Sequence, residues 1–279
     1  MAAVNGGRRT ARGWLPRYIA GVRTVRATRY LTPLREGGSV PAVVEADDEG
    51  TYVAKFRGAA QGPRALVAEV ICGELGRLLG LPVPQLALIE IDAVLARSEP
   101  DPEIQQLLRA SAGLNVALDY LPGALNWEPG LAPPPDRELA ADVVWFDALI
   151  SNVDRTPRNP NLLRWHRALY LIDHGAALYF HHDWPATAAD LRARSRSPFA
   201  MIRNHALLPL AGDLAAADAR LAPRITEAAL AAIVAEVPDD WLTGGDTPDA
   251  TRRGYVEHLW TRLAAPRLFV EEAMRAKHV

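Results

Sequence analysis

The chain has 279 residues, 49% of them hydrophobic and 23% charged, with a formal net charge of -2. Such a length and apolar content can bury the core of one large domain or two smaller ones, while the near-neutral balance argues against a general nucleic-acid or anionic-membrane binder, which carries a basic excess. Cys72 is the sole cysteine, which excludes an intramolecular disulfide and a thiolate metal cluster and fits a reducing cytoplasm.

No apolar run approaches the roughly 20 residues of a membrane-spanning helix, and the start of the chain lacks the apolar core of a secretory leader. A cytoplasmic location is therefore expected. Arg8, Arg9, Arg12, Arg17, Arg23 and Arg26 give the beginning of the chain a basic bias, read as a solvated segment. Residues 14–26 show no dominant period. From there, 29–32, 40–45 and 51–56 read as three strands, separated by the turn Glu36-Gly37-Gly38-Ser39 and by Asp47-Asp48-Glu49-Gly50. They form an antiparallel meander in which Val53 and Lys55 point to one face.

Leu66, Val70, Ile71, Leu75, Leu78 and Leu79 recur at helical spacing up to Gly80, and Pro82 and Pro84 end the helix. Glu69 falls in its second turn, where it can reach back toward the sheet. Residues 85–94 read as a strand, 97–112 as a short helix or insertion, and 114–121 as a return to the sheet. Pro122-Gly123 and the Pro- and Gly-rich stretch 126–135 mark a connection. Beyond it, 136–151 is apolar on all sides, the pattern of a buried helix, and it delivers the chain to Asp154. A short apolar strand then ends at Asp173-His174-Gly175. After a loop bearing Trp184, Arg192, Arg194 and Arg196, helices are predicted over 213–220, 226–237 and 251–274. The last carries Val256, Leu259, Trp260 and Leu263 on its apolar face and is broken or kinked at Pro266.

Two features concentrate chemistry. Of the 31 Lys plus Arg, only Lys55 and Lys277 are lysines, so Lys55 is the internal position that keeps an ammonium, and ammonium and guanidinium are not interchangeable where geometry is tight. The second feature is an ordered series: Gly37-Gly38-Ser39, Lys55, Glu69, Asp154, Asn159, Asp173. Phosphoryl transfer asks a protein for positioning and charge neutralisation. Its parts are a glycine turn over the phosphates, a Lys held by a Glu, a carboxylate near the acceptor hydroxyl and two metal ligands, and this series supplies them in kinase order.

The stretch Ser151-Asn152-Val153-Asp154-Arg155-Thr156-Pro157-Arg158-Asn159 is similar to the Asn-x-Asp-x-His-x-x-Asn catalytic loop of the HipA-type serine/threonine kinases. Phe146 to Asn152 resembles the helix leading in, Leu171-Ile172-Asp173 the strand ending at the metal-binding Asp, and Val53-Ala54-Lys55-Phe56 the small lobe. The resemblance covers roughly residues 30 to 240. It implies a two-lobed α+β fold, with a β-rich N-lobe over 1–122 and a mainly helical C-lobe over 123–279, and a phosphotransferase that uses ATP and Mg2+ on a protein serine or threonine. Asp154 would orient and deprotonate the acceptor, Asn159 and Asp173 would hold Mg2+, and Lys55, paired with Glu69, would meet the α- and β-phosphates. Gly37, Gly38 and Ser39 would cover the phosphates, and the adenine would lie near Leu118 and Tyr120. Thr156 stands where the family often has His, and Asp173-His174-Gly175 replaces the kinase Asp-Phe-Gly. The DNA-binding partnership of the HipA toxins does not carry over.

Each assignment has an ordinary rival. Asp154 could cap a turn, Asn161 competes with Asn159 for the metal, Glu74 lies on the same helix as Glu69, and the glycine turn could be a plain hairpin. His181-His182-Asp183 and the Arg192, Arg194, Arg196 run read as solvated loops, the former because adjacent residues rarely converge on one ion. Ser111 and Cys72 have no adjacent base in a nucleophile motif. A small-molecule or lipid kinase, or a nucleotide-binding module without turnover, are the competing functions.

Overall fold

Short runs rich in Val, Thr and Tyr between Gly- and Asp-bearing turns favour strands. The computed structural model, which describes residues 21–34 and 40–278, has three at the start: β1 (Arg23–Pro33), β2 (Ala42–Ala46) and β3 (Thr51–Lys55). The predicted turn at Gly37, Gly38 and Ser39, and Arg8, Arg9, Arg12 and Arg17, lie outside the described residues. The β2–β3 turn requires its glycine, because a Cβ on Gly50 would lie 2.6 Å from the Tyr52 ring. Asp48 braces the same turn, accepting from the Gly50 N–H at 3.0 Å and the Tyr52 hydroxyl at 2.6 Å.

The meander does not stay open. β3 pairs with β5 (Gly113–Asp119), β5 with β4 (Leu86–Ile91), and β4 returns to β1 in a parallel pairing that sets Arg23 against Ala87, closing a barrel in the order β1-β2-β3-β5-β4. Val25, Val44, Tyr52, Ile89 and Ala117 fill the barrel, and α2 (Pro102–Ala110) adds Ile104 and Leu108 to this core. The spacing of those two residues is one helical turn, and Asp101 caps the helix.

The barrel's other face meets α1 (Gly62–Leu78), in which every residue from Leu66 to Arg77 is buried. The helix runs between the barrel and the C-terminal helices, which explains why its apolar residues are not confined to one stripe. α3 (Arg137–Ile150) is likewise buried from Ala140 onward, starts at an Asp136 cap and ends at Ser151 with φ +52°. Around it lie α4 (Ala188–Ser195), α5 (Leu214–Leu221), α6 (Glu227–Ala235), α7 (Pro248–Leu263) and α8 (Leu268–Lys277). Thr187, Asp213, Thr226 and Thr247 cap the first four of these with their side-chain oxygens.

A small sheet, β6 (Leu125–Asn126), β7 (Leu162–Trp165) and β8 (Ala168–Leu171), lies beside the barrel. The predicted connection over 126–135 is therefore partly structured: Asn126 pairs with Leu163, and Trp127 is buried. The result is a mixed α/β chain, β-rich at its N-terminal part and helical at its C-terminal part. Among the described residues no helix is long and apolar enough to cross a membrane.

Two expectations need correction. Trp260 is 41% exposed rather than part of the buried face of α7. His181 is fully buried, with Nδ1 3.0 Å from the Tyr255 hydroxyl. An aromatic cluster of Phe180, Trp184 and Tyr255 supplies the burial that a polar sequence did not advertise.

Candidate active site

Lys55 is the last residue of β3, Glu69 sits in the second turn of α1, and Asp173 follows β8 with φ +56°. The Lys55 Nζ donates to Glu69 Oε1 and, at 2.7 Å, to Asp173 Oδ1. Burial works to lower the Lys55 pKa, but the charges of Glu69 and Asp173 outweigh it and raise it. Burial also pushes the Asp173 carboxyl up, and Lys55 overrides this and holds it at about 2. Glu74, the rival of Glu69, instead lies 3.1 Å from Arg77 Nε on its own helix.

His174, in place of the usual Phe, is fully buried edge-on to Phe146. Neither ring nitrogen has a hydrogen-bond partner. Burial, reinforced by the Arg155 charge, lowers its pKa to about 3, so the ring is neutral.

Asp154 lies in the loop after α3. Its Oδ2 accepts from Asn159 Nδ2 at 2.8 Å and from Asn161 Nδ2 at 3.3 Å. Thr156 organises the loop through its backbone: its N–H donates to the Asp154 and Asn159 carbonyls, and its own carbonyl accepts from the Asn159 N–H.

Beneath the loop lies a polar network that reading the sequence missed. Asp147 Oδ2 accepts from Arg155 Nε at 2.5 Å and from His205 Nε2 at 2.8 Å, and its Oδ1 accepts from Asn152 Nδ2 at 3.1 Å. The Leu207 N–H donates to His205 Nδ1 at 3.0 Å, which places the ring proton on Nε2. Asn152 Oδ1 in turn accepts from the Asp154 N–H at 3.1 Å. Burial alone would lift the Asp147 carboxyl, yet Arg155 and His205 hold it well below the usual range. One signal was present in the sequence. A single Asp inside Val143-Val144-Trp145-Phe146-Asp147-Ala148-Leu149-Ile150 must find buried donors if that helix is apolar all round.

Lys55, Asp154, Asn159, Asn161 and Asp173 face one cleft of about 1610 Å³. Val53, Lys55, Leu118 and Tyr120 line it from the barrel side, and Asp154, Asn159, Asn161, Ile172 and Asp173 from the other. Leu118 is buried and Tyr120 is 38% exposed. The oxygens that a cation in this cleft could meet, those of Asp173 and the two Asn amides, are of the kind that hard divalent cations prefer. Among the described residues no three His, Cys, Asp or Glu side chains converge on a metal position. Mg2+ at kinase sites needs no such cage, because one or two carboxylates and substrate phosphates suffice. The residues present fit that group.

A family profile described as HipA-like kinase matches residues 28–267. The chain belongs to the HipA-like kinase family. As a HipA-like kinase it is a phosphotransferase of the kinase type. Among solved structures, this HipA-like kinase is similar to a Helicobacter pylori proinflammatory kinase, CtkA, at 13% identity and a TM-score of 0.58, covering 92% of this chain and 98% of that one. That likeness is one of fold. A crystal structure of the Golgi casein kinase with Mn and ADP bound matches at 12% identity and a TM-score of 0.45, covering 90% of this chain and 74% of that one. A second Golgi casein kinase structure gives 13% and 0.40, with coverages of 88% and 74%. A sequence search of curated proteins returns no match.

Proposed function

We propose that this HipA-like kinase is a two-lobed, ATP- and Mg2+-dependent enzyme that phosphorylates a serine or threonine hydroxyl on a protein, with its lobes dividing at 122/123. The observation that carries the reading is the Lys55 ammonium held between Glu69 and Asp173 in the same cleft as Asp154.

Lys55 would neutralise α- and β-phosphate charge, held in place by Glu69 on the rigid α1. Leu118 and Tyr120 would flank the adenine. The N–H groups of Asp119 and Tyr120 already donate to the Gln85 and Thr51 carbonyls, so backbone recognition of the base falls to Leu121 and the adjoining carbonyls. Asn159 and Asp173, with Asn161 the alternative to Asn159, would hold Mg2+, which when bound neutralises charge on the transferring phosphoryl group. With both amides on Asp154 Oδ2, Oδ1 is the oxygen for the acceptor hydroxyl, accepting its proton as the acceptor oxygen bonds to the γ-phosphorus and the bridging oxygen leaves with ADP. Gly37, Gly38 and Ser39 would cover the phosphates through backbone N–H groups. The cleft exceeds the 300–1,000 Å³ or so of an ordinary small-molecule pocket, leaving room for an extended acceptor.

Phosphate transfer from ATP to a protein acceptor or to the chain itself, with and without Mg2+, tests this for wild type, Asp154→Ala and Asp173→Ala. Metal-dependent transfer abolished by both substitutions is expected. Nucleotide binding without turnover on any acceptor would favour the silent binding module, and full activity of Asp154→Ala would remove that residue from its role.

A further inference from the structure

We propose that Arg155 is the positioning residue for the metal-binding half of the site, joining the buried Asp147 carboxylate to the two backbone segments that carry Asn161 and Asp173. This rests on the reading that those segments hold a divalent cation.

Arg155 is 1% exposed and does not line the cleft, although it follows Asp154 directly. Its Nε is committed to Asp147. Its Nη1 donates to the Asn161 carbonyl at 2.5 Å and lies 3.3 Å from the carbonyls of Pro160 and Ile172. Those carbonyls belong to the peptide planes entering and leaving Asn161 and to the plane entering Asp173. Asn161 and Asp173 have φ of +50° and +56°, the left-handed region that Asn and Asp adopt more readily than other non-glycine residues, and the Arg155 bonds close on the backbone at both of these turns. The Ile172 N–H also donates to the Asn161 carbonyl at 3.1 Å, so the two segments are joined directly as well as through the guanidinium. A planar fork can span a carboxylate and several carbonyls at once, which a lysine ammonium on a flexible stem cannot reproduce. Arg155→Lys therefore keeps the buried charge and removes the geometry.

The test is calorimetric binding of ADP to the full chain with and without Mn2+. Wild type is expected to bind ADP more tightly with Mn2+. Arg155→Lys should lose about 10- to 100-fold of the Mn2+-dependent gain, the usual cost of removing an outer partner of a metal ligand, while ADP affinity without metal stays unchanged. His205→Ala keeps the ion pair but frees Asp147 on its other side, and should lose several-fold in the same direction by the same logic. If Arg155→Lys binds Mn2+ with ADP as tightly as wild type, or loses metal-free and metal-loaded affinity equally, the proposal is overturned. If Arg155→Lys does not fold, an unchanged Mn2+ dependence in His205→Ala overturns it. A wild-type protein indifferent to Mn2+ overturns the metal reading itself.

Discussion

Lys55 is buried, and its two contacts with carboxylates are what keep it charged there. Replacing it by Met strands Glu69, which is 1% exposed, without a counter-ion. Breaking such a buried pair costs about 3–5 kcal/mol. Burial already lifts the Glu69 carboxyl, and without Lys55 its folded pKa rises further above the unfolded value. The penalty is therefore full at neutral pH, where Glu69 must ionise in the unfolded chain but resists ionising in the folded one. It shrinks as pH falls toward the unfolded carboxylate value near ~4. Urea melts of wild type and Lys55→Met at pH 7.5 and 4.5 should show the difference narrowing in acid, and phosphotransfer by Lys55→Met should fall by about 10²- to 10³-fold, as when a preorganised donor is removed. The scarcity of lysine made this position legible in the sequence. Asn152 showed only as the leading Asn of the loop motif and Asp147 only as a lone acid in an apolar helix, while His205, 58 residues from its partner Asp147, left no spacing to read.

At the scale of elements, α7 shows tertiary packing overriding local preference. Gly254 lies inside this helix, where Ala is favoured by up to about 1 kcal/mol. Here a Cβ on Gly254 would stand 2.6 Å from the Trp184 ring. Gly254→Ala should therefore destabilise by about 1–3 kcal/mol net, and combining it with Trp184→Leu should recover much of that loss in a double-mutant cycle of thermal melts.

The same cluster carries a pH signature. Burial lowers the His181 pKa to about 3, so the folded state keeps the ring neutral. The corresponding stability is complete above the unfolded value of about 6.5 and declines as pH drops toward 3, at about 1.4 kcal/mol per pH unit. His181→Asn should flatten the stability profile between pH 6 and 4 in urea titrations, even where it lowers stability at neutral pH.

The long helices were legible because their apolar periodicity and caps are local. α4 was not: only Leu191 and Ser195 of it are buried, too few to show a period, and its start is marked only by the Thr187–Asp190 pair. Closure of the barrel through parallel β1 and β4 was equally hidden, since local alternation specifies a strand and not its distant partner. Pro266 did mark a real break, separating α7 from α8.

For the whole molecule, the decisive fact is how the two cores divide. One lies inside the barrel, and the other runs from the barrel's outer residues Leu86, Leu88, Val116 and Leu118 through α1 to α3, α5, α6 and α7. A Cβ on Gly76 of α1 would be 3.4 Å from Phe146 of α3. The C-terminal end of α1 is held by Arg224, which donates to the Leu78 and Leu79 carbonyls at 3.1 and 2.6 Å, and the Leu171 N–H donates to the Pro82 carbonyl at 2.8 Å. α1, which carries Glu69, is thus built into both parts. Cutting at the proposed 122/123 division would leave residues 1–122 with the barrel interior intact but with the side of α1 that meets Phe146 of α3 and the helix α6 uncovered. Each buried aliphatic side chain contributes about 1.5–3 kcal/mol, comparable in sum to the 5–15 kcal/mol or so that stabilises a domain. The full chain should unfold in one cooperative transition in calorimetry, and the isolated 1–122 fragment should give collapsed, poorly dispersed amide resonances. A dispersed spectrum with cooperative melting from that fragment would show that α1 needs only the barrel, and that Glu69 and Lys55 can be positioned without the helical part.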